Sequence, residues 1–409
     1  MTGSGTGLVE HVVDSPSARV FTAENPLRIG VVGTGSIAGA HAENLSRLGG
    51  RARIVGACDI DEGRVDAFRE TWNVPVGATS IEALLEAVEL DLVHLCSPPG
   101  LHKEQAVVAL RRGVHVLSEK PPALSLCELD EIAAAELAGA AQFATVSQHR
   151  FGSRAQWLRD RVADGALGRP LTAVCHTLWY RPDSYFQVPW RGKWDVEGGG
   201  PTMGHGIHQM DLMLSVLGAW SQVVAVAARQ ARPVATEDVS LAIVTLDNGC
   251  VVSVVNSLLS ARETSYLRFD FEYATVELEH LYGYSDASWR ITPAPEHEQR
   301  VAEAWDRGPH GTPSSHAAQF EAMVDALQNG IPIPVALDQA RSTLELVAAI
   351  YASAFTGAPV AVGEVGAASP FYRGMAGSGA PWDAAEAVPG VVPGAAPRVV
   401  PRTRKGRAG

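Results

Sequence analysis

Three stretches of this chain carry residues whose types and spacing could do chemistry. Gly33-Thr34-Gly35-Ser36-Ile37-Ala38 reads G-x-G-x-x-A directly after the apolar run Leu27–Val32. In that arrangement glycine permits a tight turn and backbone amides meet a pyrophosphate where a helix begins. Asp59 stands 26 positions beyond Gly33, at the end of the next apolar run. A carboxylate there accepts hydrogen bonds from an adenosine ribose and repels a 2′-phosphate. Gly33, Gly35, Ser36, Ile37 and Asp59 are therefore predicted to hold a dinucleotide, NAD in preference to NADP, with NADP left open by the neighbouring Arg64. Lys120 sits in Ser118-Glu119-Lys120-Pro121 after the run Val114–Leu117, and Met203-Gly204-His205-Gly206-Ile207-His208 sets two histidines three positions apart. Removing hydride from a carbinol carbon needs a base on the hydroxyl, and histidine best matches neutral pH. A cationic lysine stabilises the developing alkoxide. His208 is thus expected as general acid/base, with Lys120 as proton relay and electrostatic clamp.

His205 has three open readings: a relay partner, a hydrogen-bonder to substrate, or a packed histidine. His205, His208 and Asp211 offer nitrogen and oxygen ligands at i, i+3 and i+6, but no fourth ligand is placed by the sequence, so no metal is predicted. Asp211 could instead orient an imidazole or cap backbone amides. Between Trp179 and Trp194 lie six aromatic residues interleaved with Arg181, Arg191 and Lys193. Aromatic faces over sugar C–H groups suit a saccharide, a packed aromatic loop is the alternative, and the cations could instead meet a carboxylate or phosphate. Arg150, Tyr180, Trp190, Arg191, Trp194 and Asp211 are the predicted substrate contacts. His94 and His115, inside apolar runs, are expected in the core.

The elements that position these residues can be read from period. From 27 to about 148, short apolar runs at Leu27–Val32, Arg53–Ala57, Leu92–Leu95 and Val114–Leu117 alternate with amphipathic stretches, the βαβ signature of a parallel sheet. Ser125 and Glu128 form a capping box ahead of Leu129, Ile132 and Leu137. Beyond about 150 the period changes: Val239–Leu246 and Val251–Leu259 flank Asp247-Asn248-Gly249, a hairpin signal. β-like runs follow at 267–273 and 275–278, with helices at 316–328 and 339–355. The expected fold class is α/β: an N-terminal Rossmann dinucleotide-binding domain (27–148) plus a C-terminal α+β domain with a large, mainly antiparallel sheet (149–366). A flexible extension (1–26) precedes them, and a Gly/Ala/Pro-rich tail (367–409) is expected to be disordered or loosely docked.

Ser118-Glu119-Lys120-Pro121 resembles the strand-ending Glu-Lys-Pro of the glucose-fructose oxidoreductase / inositol dehydrogenase (Gfo/Idh/MocA) family. Cys96-Ser97-Pro98-Pro99 with His102 is similar to that family's loop beside the nicotinamide, and Gly198-Gly199-Gly200 followed by Gly206, His208 and Asp211 is similar to its second motif. The resemblance spans about 27 to 365. It implies cofactor contacts from Ser97, Pro98, His102, Glu119 and Lys120, and oxidation or reduction of a sugar or polyol carbinol. Lys120 and His208 match the family's catalytic lysine and histidine. The family's aspartate, four positions before the histidine, is replaced by Gly204, which leaves the Asp-to-His relay without its acid.

Composition excludes other classes. The formal charge of −12 opposes a polyanionic partner, so no nucleic acid is expected, although five basic residues and no acidic one follow from Arg398. Five scattered cysteines give no disulfide framework or CxxC, and no signal-peptide core or long apolar run is present, which points to a cytoplasmic protein without a membrane partner. The predicted function is hydride transfer between a nicotinamide and a secondary hydroxyl of a sugar, polyol or glycoside, in a homodimer or homotetramer. The alternatives are a redox-neutral enzyme cleaving or eliminating through a transient keto-sugar, and a cofactor-binding protein without catalysis.

Overall fold

The computed structural model describes residues 20–386. Six parallel strands form the first sheet: β1 (Leu27–Val32), β2 (Ala52–Cys58), β3 (Val76–Ala78), β4 (Leu92–Leu95), β5 (His115–Ser118) and β6 (Phe143–Thr145), in the order 3-2-1-4-5-6. Between them run α1 (Ser36–Ser46), α2 (Glu62–Trp72), α3 (Ile81–Ala87), α4 (His102–Arg111) and α5 (Leu126–Leu137). The order reverses between β1 and β4, so the loops leaving these two strands open a crevice, the place where such sheets bind ligands. β1 and β4 are apolar on both faces because helices cover both: Ile29, Val31, Leu92, Val93 and Leu95 are fully buried. The cap of α5 follows the sequence, Ser125 Oγ accepting from the Glu128 amide at 3.2 Å. The return half of the box differs, since the Glu128 carboxylate takes the Leu124 amide rather than that of Ser125.

The second sheet has eight strands, and one pair in its middle is parallel. They are β7 (Pro170–Leu178), β8 (Trp220–Ala228), β9 (Val239–Leu246), β10 (Val251–Ser257), β11 (Thr264–Phe271), β12 (Ala274–His280), β13 (Trp289–Pro293) and β14 (Val360–Ala361), ordered 13-12-11-7-10-9-8-14. The β9–β10 hairpin turns at Asn248-Gly249 as its sequence predicts, with Gly249 at φ +85°. β7, which has no hairpin partner next to it in sequence, inserts between β10 and β11 and delivers the aromatic segment from Trp179 onward. Helices α6 (Ser153–Ala163), α7 (Ile207–Leu217), α8 (Glu298–Asp306), α9 (His316–Gln328) and α10 (Leu337–Thr356) complete this half, α7 and α10 lying on one sheet face. The opposite face exposes Val224, Val226, Leu241 and Ile243.

The two halves share packing. Phe320, Met323 and Val324 of α9 pack with Leu27, Ile29 and Leu92 of the first sheet, so a helix from the second half closes one side of the nucleotide domain. The tail also departs from expectation. Phe371, Met375 and Ala380 are buried, and Trp382, on a last short helix α11 (Pro381–Glu386), stacks on Trp194 and donates to the Ala235 carbonyl. Aromatic and alanine side chains spaced through a Gly-rich stretch are enough to dock it up to that point. The N-terminal extension to residue 19 and the basic end from Arg398 lie outside the described residues.

Candidate active site

The loops at the carboxyl ends of β1, β2, β4 and β5 meet the β7 aromatic segment and the start of α7 around a cleft of about 470 Å³. A wider groove of about 790 Å³ runs between α6 and α8, lined by surface charges such as Asp160, Arg161, Arg300 and Glu303. The smaller cleft is the candidate because the glycine turn and the buried lysine and histidines converge there.

At the nucleotide end the wall is main chain. Gly33 has φ +85°, and a Cβ on it would lie 2.7 Å from the Ser97 amide nitrogen, so only glycine lets β1 turn against the β4 loop. Gly35 caps α1 with no side-chain bond and has open space where a Cβ would stand. The first-turn amides of an 11-residue helix are thus presented to the cleft without a competing acid, a cradle that fits a pyrophosphate. Asp59 borders the same end, and Arg64 stands beside it, paired with Asp61. The Asp59 carboxylate is held by the Thr34 amide at 2.9 Å and the Asp61 amide at 3.1 Å. Ser36, Ile37, Ser97, Pro98 and Glu119 line the cleft as well.

His102 does not. It is fully buried, with Nδ1 2.8 Å from the Pro121 carbonyl and Nε2 2.9 Å from that of Ser97. The expected cofactor contact is therefore corrected to a tie between the β4 and β5 loops. Behind Glu119 lies a buried network: His41 Nε2 at 2.9 Å and His316 Nε2 at 3.4 Å reach Glu119 Oε1, and His41 Nδ1 is 2.9 Å from His94 Nδ1. Burial favours a neutral Glu119, yet the N–H groups of His316 and His41 outweigh it and hold the carboxyl well below its ordinary value. His94 is buried in this network, whereas His115 accepts from the Gln142 amide.

At the other end the wall is side chain. Lys120 Nζ donates to the Gly204 carbonyl at 2.8 Å. Burial lowers its ammonium from the ordinary lysine value; Glu119 and Glu197 oppose this, and Arg191 and Arg181 add to it. Residues Thr202–Gly206 form a wide π-type helical turn ahead of α7, and His205 of this turn and His208 of α7 both border the cleft. His205 is wedged edge-on against Trp179, with Nε2 3.4 Å from the Tyr185 hydroxyl and Nδ1 unpartnered. His208 lies against His149 and Tyr282. Burial, then the Lys120 charge, holds both histidines well below their ordinary value, which favours the neutral ring in each.

Glu237 fixes this turn from behind. Its carboxylate accepts from the amides of Gly200 at 3.0 Å and Thr202 at 3.1 Å and from the Tyr351 hydroxyl at 2.7 Å. Burial pushes its carboxyl up to about 7 against those donors. A Cβ on Gly200 would meet the Glu237 carbonyl oxygen at 2.0 Å, which is the local reason for glycine there.

The predicted substrate contacts divide. Trp190 and Arg191 line the cleft, joined by Trp179 and Tyr185. Arg150 and Asp211 instead form a buried bidentate pair, at 2.7 and 2.5 Å, that Thr343 also joins. Their charges are committed to each other and neither lines the cleft, and among the described residues Asp211 is not grouped with His205 and His208 as a ligand set. Trp194 packs on Tyr351 and Trp382 and donates to Ala235, partly buried against the core and outside the cleft lining. Tyr180 is exposed beneath Arg232, outside the cleft lining. Tyr185 belongs to the aromatic segment read as sugar-facing, whereas Glu197 and Tyr282 reach the cleft without having been singled out. Glu197 directly precedes the Gly198–Gly200 run, which was a usable signal; Tyr282 arrives from the loop after β12 and had none.

A glycine turn at the switch point of a parallel sheet, facing a buried lysine and neutral histidines, defines an NAD-binding oxidoreductase. The chain belongs to the GFO/IDH/MocA family: residues 27–144 match its NAD-binding Rossmann-fold oxidoreductase domain, and residues 155–277 its C-terminal domain. D-glucoside 3-dehydrogenase of Escherichia coli (strain K12) is 27% identical over 360 residues, 82% of this chain and 97% of that protein. Glucose-6-phosphate 3-dehydrogenase of Bacillus subtilis (strain 168) is 29% identical over 188 residues, 46% of this chain and 52% of that protein. Among solved structures, the WlbA dehydrogenase from Bordetella pertussis in complex with NADH and UDP-GlcNAcA has the same fold, with a TM-score of 0.74 at 24% identity, covering 82% of this chain and 99% of that one. No helix among the described residues is long and apolar enough to cross a membrane.

Proposed function

We propose that this protein oxidises a secondary ring hydroxyl of a glucoside or related sugar, with Lys120 and His208 handling the proton. The observation that carries this reading is the meeting, in one cleft, of the α1 amide cradle with the Lys120 ammonium and the neutral His208 ring. Both relatives described above are named 3-dehydrogenases of glucose derivatives, which supports a pyranose substrate.

The amides of Gly35, Ser36 and Ile37 would hold the pyrophosphate, and Asp59 the ribose. A bound nicotinamide supplies the hydride acceptor. His208 accepts the hydroxyl proton, because a neutral imidazole is free to take one. Lys120 places positive charge beside the oxygen as it becomes an alkoxide, and its bond to the Gly204 carbonyl fixes the direction of that charge. Trp179, Tyr185 and Trp190 offer flat faces to the C–H surface of a sugar and keep water away. The exposed apolar strip of Val224, Val226, Leu241 and Ile243 supports association of two copies through the open sheet face. The absence of any disulfide among the described cysteines is in keeping with a cytoplasmic enzyme.

The test is NADH formation with NAD across methyl glucosides, free hexoses, sugar phosphates and inositols. A pyranose should be the best substrate and lose its turnover on His208→Ala. Turnover confined to non-sugar alcohols, or unaffected by His208→Ala, would overturn the assignment.

A further inference from the structure

Four acidic or basic groups surround Lys120, and their commitments differ. Glu119 is engaged on both oxygens, by His41 and His316 on one and by the Lys120 amide on the other. Arg191 is spread over the Tyr185 and Trp190 rings, with its guanidinium carbon 3.8 and 4.3 Å from their centroids. Arg181 is paired with Glu263. Glu197 is buried in the cleft wall, and its two oxygens are held unequally. Its Oε2 accepts the Gly192 amide at 2.7 Å, whereas Oε1 has Arg191 Nη1 at 3.4 Å.

That lightly held oxygen faces a gap. A Cβ built on Gly204 would find Glu197 Oε1 at 3.9 Å as its near neighbour beyond the local chain. The carbonyl of the same Gly204 receives the Lys120 ammonium. Gly204 thus adjoins both groups: its carbonyl holds the ammonium, and it brings no side chain of its own to the position nearest the Glu197 carboxylate, in a cleft that all three residues line.

We propose that Glu197 is a positioning residue for Lys120: across the space left open by Gly204, its carboxylate supplies the counter-charge that keeps the ammonium charged and aimed at the reacting hydroxyl. This rests on the catalytic reading of Lys120 given above. The electrostatics agree with the geometry. Burial, Arg191 and Arg181 all work against a charged Lys120, while Glu119 and Glu197 support it. Burial raises the Glu197 carboxyl, and the Gly192 amide, Arg191 and Lys120 pull it back toward its ionised form. The missing acid of the family pattern at position 204 is then replaced from the preceding loop rather than from a neighbouring residue of the helix.

The experiment titrates the side-chain ¹³Cε resonance of Lys120 in the NADH-bound enzyme without any sugar, assigned by its loss in Lys120→Arg. Glu197→Gln should lower the Lys120 midpoint by about one pH unit. Under the same change kcat should fall about tenfold or more with KM little changed. Glu197→Asp should retain most of the charge effect, and Gly204→Asp in the Glu197→Gln background should restore both the midpoint and turnover, which separates a charge role from simple misfolding. An unshifted Lys120 midpoint in Glu197→Gln, or no restoration by Gly204→Asp in a folded double variant, would overturn the proposal. If the midpoint moves as stated while no sugar is oxidised by the parent enzyme, the functional reading fails and the Glu197–Lys120 pairing stands.

Discussion

At the Gly33 end of the cleft the lining is mostly backbone: a glycine turn, the open amides of α1, and one carboxylate held by an amide of that turn and one of its own loop. At the Lys120 end it is side chain upon side chain: a lysine on a carbonyl, two neutral histidines, a buried glutamate and a wall of aromatic rings. The first is built on one strand, turn and helix that are neighbours in sequence, with Asp59 after β2 and the β4 loop closing its sides. The second draws on β5, the segment after β7, the turn before α7 and the loop after β12. Backbone contacts hold a common ligand whatever the side chains; clustered titratable side chains tune a particular reaction. The two ends should therefore fail differently when changed.

The largest effects belong to the side-chain end. Lys120→Ala and His208→Ala should each lower kcat by roughly 10²- to 10⁴-fold, the range removed with an acid–base group. NADH affinity, read by fluorescence titration, should change little for His208→Ala. Equal losses of turnover and NADH affinity in that variant would erase the distinction between the ends.

Next comes the support behind it. Glu237→Ala deletes the acceptor of two amides and the Tyr351 hydroxyl. It should destabilise the fold by about 2–4 kcal/mol, since buried donors are left unpaired, and thermal unfolding would report this directly. Chemical denaturation of the NADH-bound form should show the same sign.

At the backbone end, Gly33→Ala forces a Cβ onto the Ser97 amide at positive φ. A strain of about 1–3 kcal/mol should weaken NADH binding by roughly 5- to 150-fold while leaving kcat at saturating cofactor nearly intact. Asp59→Ala is the mildest change, trimming the preference for NAD over NADP by about tenfold.

The pH profile sharpens the same contrast. If, as proposed, His208 takes the proton as a neutral ring, its lowered value puts the acid limb of kcat below pH 6.5. If, as proposed, Lys120 acts as a cation, its lowering from 10.5 means that activity should be lost with rising pH before that value is reached. The NADH dissociation constant should follow neither limb. An alkaline limb at or above 10.5 would contradict the buried-lysine picture.

The backbone end was legible in the sequence because its signals are local. Gly33 to Ala38, the Ser125 cap and the Asn248-Gly249 hairpin each act within a few residues, Asp59 directly follows the very next strand, and the structure places them where their spacing indicates. Lys120 and His208 were legible through the family resemblance, which the matching domains bear out at the level of the family. What stayed hidden depends on contacts across the fold. Arg150 and Asp211 read as ligands for a polar substrate, yet they are 61 positions apart and neutralise each other. Trp194 belongs to an aromatic cluster by sequence and to the α10 packing by structure. Glu197 carries no spacing signal toward Lys120; only the turn of Gly198–Gly200, pinned by Glu237, brings them to one wall.

The most direct test of a dinucleotide site joined to a sugar-oxidising centre is deuterium transfer. A methyl glucoside deuterated at each ring carbinol carbon in turn, incubated with the enzyme and NAD, should deliver deuterium to the nicotinamide from one position, as read by mass spectrometry of the cofactor. His208→Ala should abolish the transfer while still binding NADH. Deuterium that never reaches the cofactor from any carbinol position of any sugar offered to the parent enzyme would contradict the account.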